Sequence, residues 1–371
     1  GLEEKDLNKT VTRTITYVYA DGTPVLNEDG TPKTVTQEAK FTREAKVNLV
    51  TGDVTYGDWT PAQDLAEVKS PVVKGFLADK ATVPTVNVTA DSKDTTEVVT
   101  YKPIGSWIPN IPGQPTNPIK YPNDPTDPTK PGQPTETLPY VPGFTPEDKD
   151  GNPLKPVDPN DPTKGYEVPP VPTDPGTDTP ITYVTDKQKA ITNFVDEKGK
   201  VVSTPVVDEG DSGANFTKSK VDEVTKTIEK LEKAGYRVVK NEFPSKDTDR
   251  VFDKDKSVDQ IFTVTVAERI IPVTPGKPVD PTDPNLPKNP DGTPVTPSTP
   301  EPGKPVFPND PNSPVWPNTV KDLVTEKSAT RTIKYVDRNG KEVTETRVET
   351  IKFTRDAKVN LVTGEITYGE W

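Results

Sequence analysis

The chain has 371 residues, with 58 Asp and Glu against 46 Lys and Arg, a formal net charge of -12 and a pI near 4.8. That balance excludes a nucleic-acid partner as an expectation, since phosphate backbones call for a basic face, and an acidic chain gains nothing from anionic lipid. There is no Cys, His or Met, which removes disulfides, thiolate metal sites and the usual catalytic bases and nucleophiles, and no run approaches the roughly 18 apolar residues that span a bilayer.

Residues 1–104 read as a β-rich module. Ile15, Tyr17 and Tyr19 alternate with Thr14, Thr16 and Val18, the period of a half-buried strand, and Asp21-Gly22 and Asp29-Gly30 mark turns. Val47–Val50, Thr51-Gly52 and Val54–Tyr56 predict a hairpin whose Gly supplies a positive φ. Further strands are expected at 83–88 and 97–101, on either side of a short loop. Of the 45 prolines, most lie in two blocks. The first, 105–180, repeats an Asp-Pro-Thr theme; proline fixes φ and extends its predecessor, so the expectation is a stiff polyproline II linker. Its aromatics (Trp107, Tyr121, Tyr140, Phe144, Tyr166) point to some packing on a neighbouring module.

Residues 181–268 form a different module. A hairpin over 190–207 precedes a helix over about 217–234, whose Val221, Val224, Ile228 and Leu231 share one face. Ser219 and Asp222 suggest a capping box, Gly235 a stop, and two closing strands follow. This β-β-α-β-β order predicts a β-grasp (ubiquitin-like) arrangement. Residues 269–318 are the second expected linker. Residues 319–371 then restart the first module: 353–371 differ from 41–59 only at Glu44/Asp356, Asp53/Glu365, Val54/Ile366 and Asp58/Glu370, and Thr12–Val18 match Thr330–Val336. Such agreement is an internal repeat. Since the second copy stops before any counterpart of the 83–101 strands, it is expected to leave an open sheet edge, and the whole reads as a segment of a longer repetitive protein. The predicted class is α+β: small β-grasp, β-rich modules separated by extended proline-rich linkers.

Two sets of residues resemble the mucin-binding (MucBP/Mub-type) repeats of cell-wall-anchored adhesins from lactobacilli and related Gram-positive bacteria. In the middle module they are Gly210-x-x-Gly213-x-x-Phe216, Gly235-Tyr236 and Phe262–Val266. In the outer modules they are Ile15-x-Tyr17, Phe41-x-Arg43, Thr51-Gly52, Tyr56-x-x-Trp59, Ser70-Pro71 with Gly75-Phe76, and Val99-x-Tyr101. Phe216 and Phe76 stand where the family usually has Tyr. The resemblance implies β-grasp-like modules, an extracellular, cell-surface location, and adhesion to host mucus through mucin glycans, with weak contacts summed by multivalency. Two other readings stay open: a non-binding stalk that projects a distal adhesive domain, and a binder of host protein such as immunoglobulin or matrix.

Carboxylates alone permit glycoside hydrolysis in principle, but the acidic residues sit in turns, linkers and a solvated helix face, so no catalysis, cofactor or metal is expected. Asp-Pro-Asn-Asp runs offer oxygens for calcium, yet an extended strand spreads them apart. Aromatic rings suit sugar faces, which makes Tyr19, Tyr56, Trp59 and Trp107 the ligand-binding candidates. The segment is expected to be monomeric and not to insert into a membrane.

Overall fold

The computed structural model describes residues 2–371 and divides into two compact units, one ending at Thr185 and one starting at Asp186. In the first, the alternation read at Ile15 and Tyr17 is real: strand Asn8–Tyr19 buries Val11, Arg13, Ile15 and Tyr17 on one face. It pairs antiparallel with Thr34–Thr42 and parallel with Thr95–Pro103, and the latter pairs antiparallel with Phe76–Ala78. The parallel pair is therefore central, which is why Ile15, Tyr17, Val99 and Tyr101 are all about 0–1% exposed. The Tyr101 hydroxyl donates to Pro71 O at 2.6 Å, so a buried phenol that would otherwise be costly is satisfied, and burial pushes its pKa up. Arg13, 3% exposed, likewise donates to Gln37 Oε1, Pro84 O and Ala66 O.

The proline-rich stretch 105–180 departs from expectation. It is not an extended linker. Together with the strand that follows it, it folds into a four-stranded sheet in the order Ile119–Lys120, Ser106–Asn110, Thr179–Thr185, Phe144–Glu147. Ser106–Asn110 and Thr179–Thr185 pair parallel at its centre, with antiparallel edges. Trp107, Tyr121, Leu138, Ile181 and Tyr183 are buried beneath it. The strand plan repeats that of the preceding module in detail. Pro71-Val-Val-Lys-Gly75-Phe76 corresponds to Pro139-Tyr-Val-Pro-Gly143-Phe144; both glycines have φ near +84°, and both lead into the antiparallel edge strand. Tyr101 pairs with Ala78 as Tyr183 pairs with Pro146, and the Tyr183 hydroxyl donates to Pro139 O at 2.6 Å. Pro109 and Pro180 lie in the central pair but where it has a partner on one side only, beyond the residues paired with Ile119–Lys120 and ahead of those paired with Phe144–Glu147, so a missing donor costs little there.

In the second unit, strand Lys187–Asp196 pairs antiparallel with Val201–Asp211 and parallel with Gln260–Glu268, which pairs antiparallel with Tyr236–Asn241. The predicted helix is Lys218–Lys233. Its Val224 and Leu231 are buried against Phe194, Val206, Val264 and Val266, with Ile228 partly buried beside them. The expected capping box at Ser219 is not formed. The N-cap is Thr217, whose hydroxyl and amide both donate to Asp208 (2.7 and 2.8 Å), fastening the helix start to the sheet rather than to its own first turn. Gly235 closes the helix at φ +102°.

The second expected linker, 269–318, also folds. Its strand Ile270–Val273 pairs antiparallel with Ala357–Asn360, and Ile271, Leu286, Val306, Phe307 and Trp316 share one core with Val359 and Leu361. Besides the hairpin of Ala357–Asn360 with Ile366–Tyr368, the repeated module has the two-stranded ribbon Glu326–Ile333 with Arg347–Thr354. No third strand covers it among the described residues, so Tyr335 and Phe353 are 39% and 40% exposed where their counterparts Tyr17 and Phe41 are at 1% and 0%. The expected open edge is present.

The Asp-Pro-Thr theme has a physical role that extension does not capture. In Asp124-Pro-Thr126 and Asp127-Pro-Thr129 the carboxylate Oδ1 accepts both the amide and the hydroxyl of the Thr two residues on; Asp280-Pro-Thr282 repeats this, and Asp21/Thr23, Asp29/Thr31 and Asp291/Thr293 do so without Pro. These are Asx-type turns, in which proline presets φ and the side chain replaces a backbone acceptor. The Thr hydroxyl first (Asp21, Asp29, Asp127, Asp291), or the Thr amide first (Asp124, Asp280), holds each carboxyl below the ordinary 3.8. A depressed folded pKa means that this stabilisation is fully present above the unfolded carboxylate range and is lost as pH falls through the lowered folded value. NMR amide shifts of Thr126 and Thr129 are therefore expected to hold constant from pH 7 to about 4 and to move together below it. A midpoint at or above the ordinary 3.8 would contradict the turn assignment.

Candidate functional site

The loop ahead of Phe76 and the proline-rich sheet are joined by the Asn123 side chain, beside the Ala78 N to Pro128 O bond at 2.8 Å and the packing of Leu77 with Trp107 and Tyr121. Asn123 Nδ2 donates to Val73 O and Phe76 O at 3.0 and 2.8 Å, and its Oδ1 accepts from Gly75 N at 2.8 Å. Three such bonds, each worth about 0.5–1.5 kcal/mol net, hold the two modules of this unit in one arrangement. Beside this joint lies a groove of about 530 Å³, floored by Trp107 and Tyr121, walled by Ile119 and prolines 118, 122 and 125, and rimmed by Lys74, Lys120 and Glu136. Lys74 and Lys120 are exposed; Lys120 Nζ also stands 5.8 Å over the Phe76 ring. Apolar walls with a few charged groups on the rim suit a ligand that has both carbon faces and polar or anionic substituents.

The four candidate aromatics do not form one site. Tyr19 is half-buried, its ring packed on Phe76 at 4.6 Å, so it is not the free ring expected. Tyr56 and Trp59 do come together, but around Arg43: its guanidinium stands 3.7 Å from the Tyr56 centroid and 4.5 Å from that of Trp59. Arg355 repeats this on Tyr368 and Trp371 at 3.7 and 4.3 Å. A cation already occupies those ring faces, and Arg43 Nε is anchored on Asp6 O at 2.7 Å, so the cluster closes the module's end by cation–π contact. Trp107 is 1% exposed, its Nε1 bonded to Pro169 O at 2.9 Å; it shapes the groove floor and offers no free platform. Sequence reasoning misses the rim lysines and Asn123 because a region expected to be an extended strand has no grooves. The signal that does point to them is Pro-x-Val-x-Gly-Phe, shared by 71–76 and by the supposed linker.

A second hollow, of about 310 Å³, lies beside the helix start of the second unit, lined by Asn215, Phe216, Lys218, Val221, Asp247 and Arg250. Behind it Phe216 stacks edgewise on Phe252 and Phe262 at 5.0 and 6.0 Å. Arg250 is held by Pro244 O and Asp247 Oδ1, both at 2.9 Å. Among the described residues no group of three or more acidic side chains is placed to hold a metal ion, and no helix is long and apolar enough to cross a membrane.

Sequence profiles of two families match the chain: the Muc B2-like domain over residues 2–105 and 320–371, and the mucin binding domain over residues 188–268. Among solved structures, the mucin-binding domain of Spr1345 from Streptococcus pneumoniae is 33% identical, over 26% of this chain and 92% of that one, with a TM-score of 0.22. The MucBP domain of an adhesion protein from Pediococcus pentosaceus is 31% identical, over 26% and 98% of the two chains, at 0.21. A type 2 repeat of the mucus binding protein MUB from Lactobacillus reuteri is 22% identical, over 50% and 74%, at 0.25. No match was found among curated protein sequences. With two separate profiles covering its modules and a relative one-third identical over nearly its whole length, the chain belongs to the mucin-binding (MucBP/Mub-type) family of adhesin domains.

Proposed function

We propose that this chain is the mucus-binding part of a bacterial surface adhesin, acting outside the cell on mucin glycans through several weak sites. The observation that carries the reading is the kinship of residues 188–268 with the mucin binding domain. The groove rimmed by Lys74 and Lys120 is the contact best suited to an acidic glycan, because a chain of net charge -12 needs local cations to accept a sialylated or sulfated sugar. The hollow at Arg250 is a second contact, favoured by its place within the matched domain. Each site alone is shallow, so useful affinity comes from linking them along one chain and along longer arrays. The three four-stranded sheets read as variants of one β-grasp plan: each has a central parallel pair flanked by antiparallel edges, and of the three only the one in residues 187–268 carries the long helix.

The test is retention on immobilised mucin at low salt. Lys74→Ala with Lys120→Ala is expected to weaken binding about fivefold to tenfold, the effect of removing two solvent-screened cations from one rim, and to flatten its salt dependence. Arg250→Ala should deepen that effect, while Tyr56→Ala should change nothing. Binding that is unaffected by both sets of substitutions would remove these sites. Binding that survives deglycosylation of the mucin would favour a protein ligand, and no binding by the unaltered chain would favour a stalk.

A further inference from the structure

The same hairpin occurs twice in this chain in opposite environments. In the second unit Val359 and Leu361 are 0% and 6% exposed and Val362 is half-buried; the corresponding Val47, Leu49 and Val50 of the first unit are 46%, 94% and 95% exposed. The residues from Ala357 to Gly364 and from Ala45 to Gly52 are identical, and both hairpins keep the same internal bonds. Asn48 Oδ1 accepts from Val50 N and Thr51 N, as Asn360 Oδ1 does from Val362 N and Thr363 N. The hairpin is thus one rigid shape, and what differs is only whether a seat is present.

The seat is specific. Strand Ile270–Val273 adds to the hairpin edge, placing Ile271 opposite Val359 and Val273 opposite Ala357. Arg269 O accepts from Leu361 N at 2.9 Å, Glu268 Oε2 from Asn360 Nδ2 at 2.7 Å, and Gly364 O from Thr319 Oγ1 at 2.6 Å. Gly235 permits the close approach, since a Cβ there would lie 2.7 Å from the Leu361 backbone. Every hairpin atom in these bonds has its equivalent in residues 45–52. The four differences between the long repeats fall outside this stretch, at positions 44, 53, 54 and 58.

We propose that residues 45–52 are a docking surface for a seat of this kind on a second copy of the chain, the edge strand Ile270–Val273 with its Phe307 and Trp316 core, once the hairpin 357–364 of that copy has left it. The pairing would set Ile271 opposite Val47 and Leu49 N on Arg269 O, so that successive mucin-binding and Muc B2-like modules join head to tail in one fixed geometry. The occupant is another length of this same protein because the chain already shows that seat holding that sequence. This inference is independent of the mucin reading, since it concerns pairing between repeats and is tested without glycan.

Two measurements on the full chain test it. First, Asp356→Glu, Glu365→Asp, Ile366→Val and Glu370→Asp together convert 353–371 into the sequence of 41–59. Hydrogen exchange at Leu361 N is expected to stay within about threefold of the unaltered chain; a loss of protection there overturns the proposal. Second, Leu361→Asp vacates the seat, and sedimentation of this variant is expected to show self-association at high micromolar concentration, residues 45–52 of one copy entering the vacated seat of another. Leu49→Asp added to the same variant, at a residue 94% exposed and so harmless to folding, should abolish it. Absence of association, with the Val306 and Trp316 amides still protected, overturns the proposal. If those amides lose protection, the seat has collapsed, and Leu361→Ala, which loosens the resident hairpin without placing a charge in the seat, decides instead: self-association that Leu49→Asp removes supports the docking, and none at several hundred micromolar overturns it.

Discussion

Trp107→Ala should unfold the sheet built by residues 106–185 and leave the 187–268 module unchanged. Trp107 is 1% exposed, its ring meets Tyr121 edge-on at 4.7 Å, and its Nε1 bond to Pro169 O holds the chain sixty-odd residues downstream. Removing a buried Trp costs about 3–5 kcal/mol, and a small module with short strands has about that much in reserve. The measurement is hydrogen exchange at Leu138 and Tyr166, whose amides bond each other's carbonyls at 2.9 Å. Both are expected to lose protection, while Phe194 and Val264 amides keep theirs. Trp107→Phe, which keeps the ring but not the N–H, should fall between. If 105–180 were an extended arm, Trp107→Ala would leave exchange at 138 and 166 fast and unaltered; slow exchange that the substitution does not change would equally refute the role given to this ring.

How much of this is legible in the sequence depends on what each residue's neighbours are. The hairpin at 45–56, the Asn8–Tyr19 strand and the helix Lys218–Lys233 follow from local patterns: alternation, a Gly in a tight turn, and an apolar face at helical spacing. The open edge of the second copy follows from comparing the two copies. The fold of the proline-rich stretches does not follow. Proline density points to extension, yet Asp-Pro-Thr closes turns through the Asp carboxylate, and Ile181-Thr-Tyr183 carries the same alternation as Ile15-Thr-Tyr17. The groove is invisible for the same reason, because its Lys120 and Tyr121 lie in a stretch with the composition of a spacer. Other features lie beyond any single-sequence pattern. Leu49 and Leu361 sit in identical local sequence and differ only in tertiary surroundings. Tyr56 looks like a core residue or a sugar platform until Arg43 is found stacked upon it.

These corrections change how the molecule works. Because the proline-rich segments are folded, neighbouring modules within each unit are joined by docked sheets rather than by a floppy or rod-like arm. The entropic penalty of linking sites falls when the connection is rigid, provided the geometry matches the ligand's spacing. Asn123 and Gly75 fix one such joint in the first unit, and Gly235 with the seated hairpin fixes another in the second.

That second joint gives the other large expected effect. Gly235→Ala should detach the hairpin of residues 357–368 while the helix and sheet of the mucin-binding module persist. Two costs coincide at this position. The backbone at φ +102° is one that L-residues rarely adopt, worth about 1–2 kcal/mol. In addition, the new Cβ would stand 2.7 Å from Leu361 C and O and 2.9 Å from Val362 N, all backbone atoms with no rotamer to yield. The hairpin must move out, giving up the burial of Val359 and Leu361, each about 1.5–3 kcal/mol. Gly75→Ala is the matched control. Its φ is +84°, but its Cβ would meet only the flexible end of Lys120 at 3.6 Å, so it carries the backbone cost without the clash. The readout is exchange at Leu361 N, bonded to Arg269 O, against Val266 in the sheet core. Leu361 should become unprotected in Gly235→Ala alone, with Val266 slow in both variants. Retained protection at Leu361 would mean that the hairpin and helix end adjust to each other, and that the close approach at this glycine does not hold the joint.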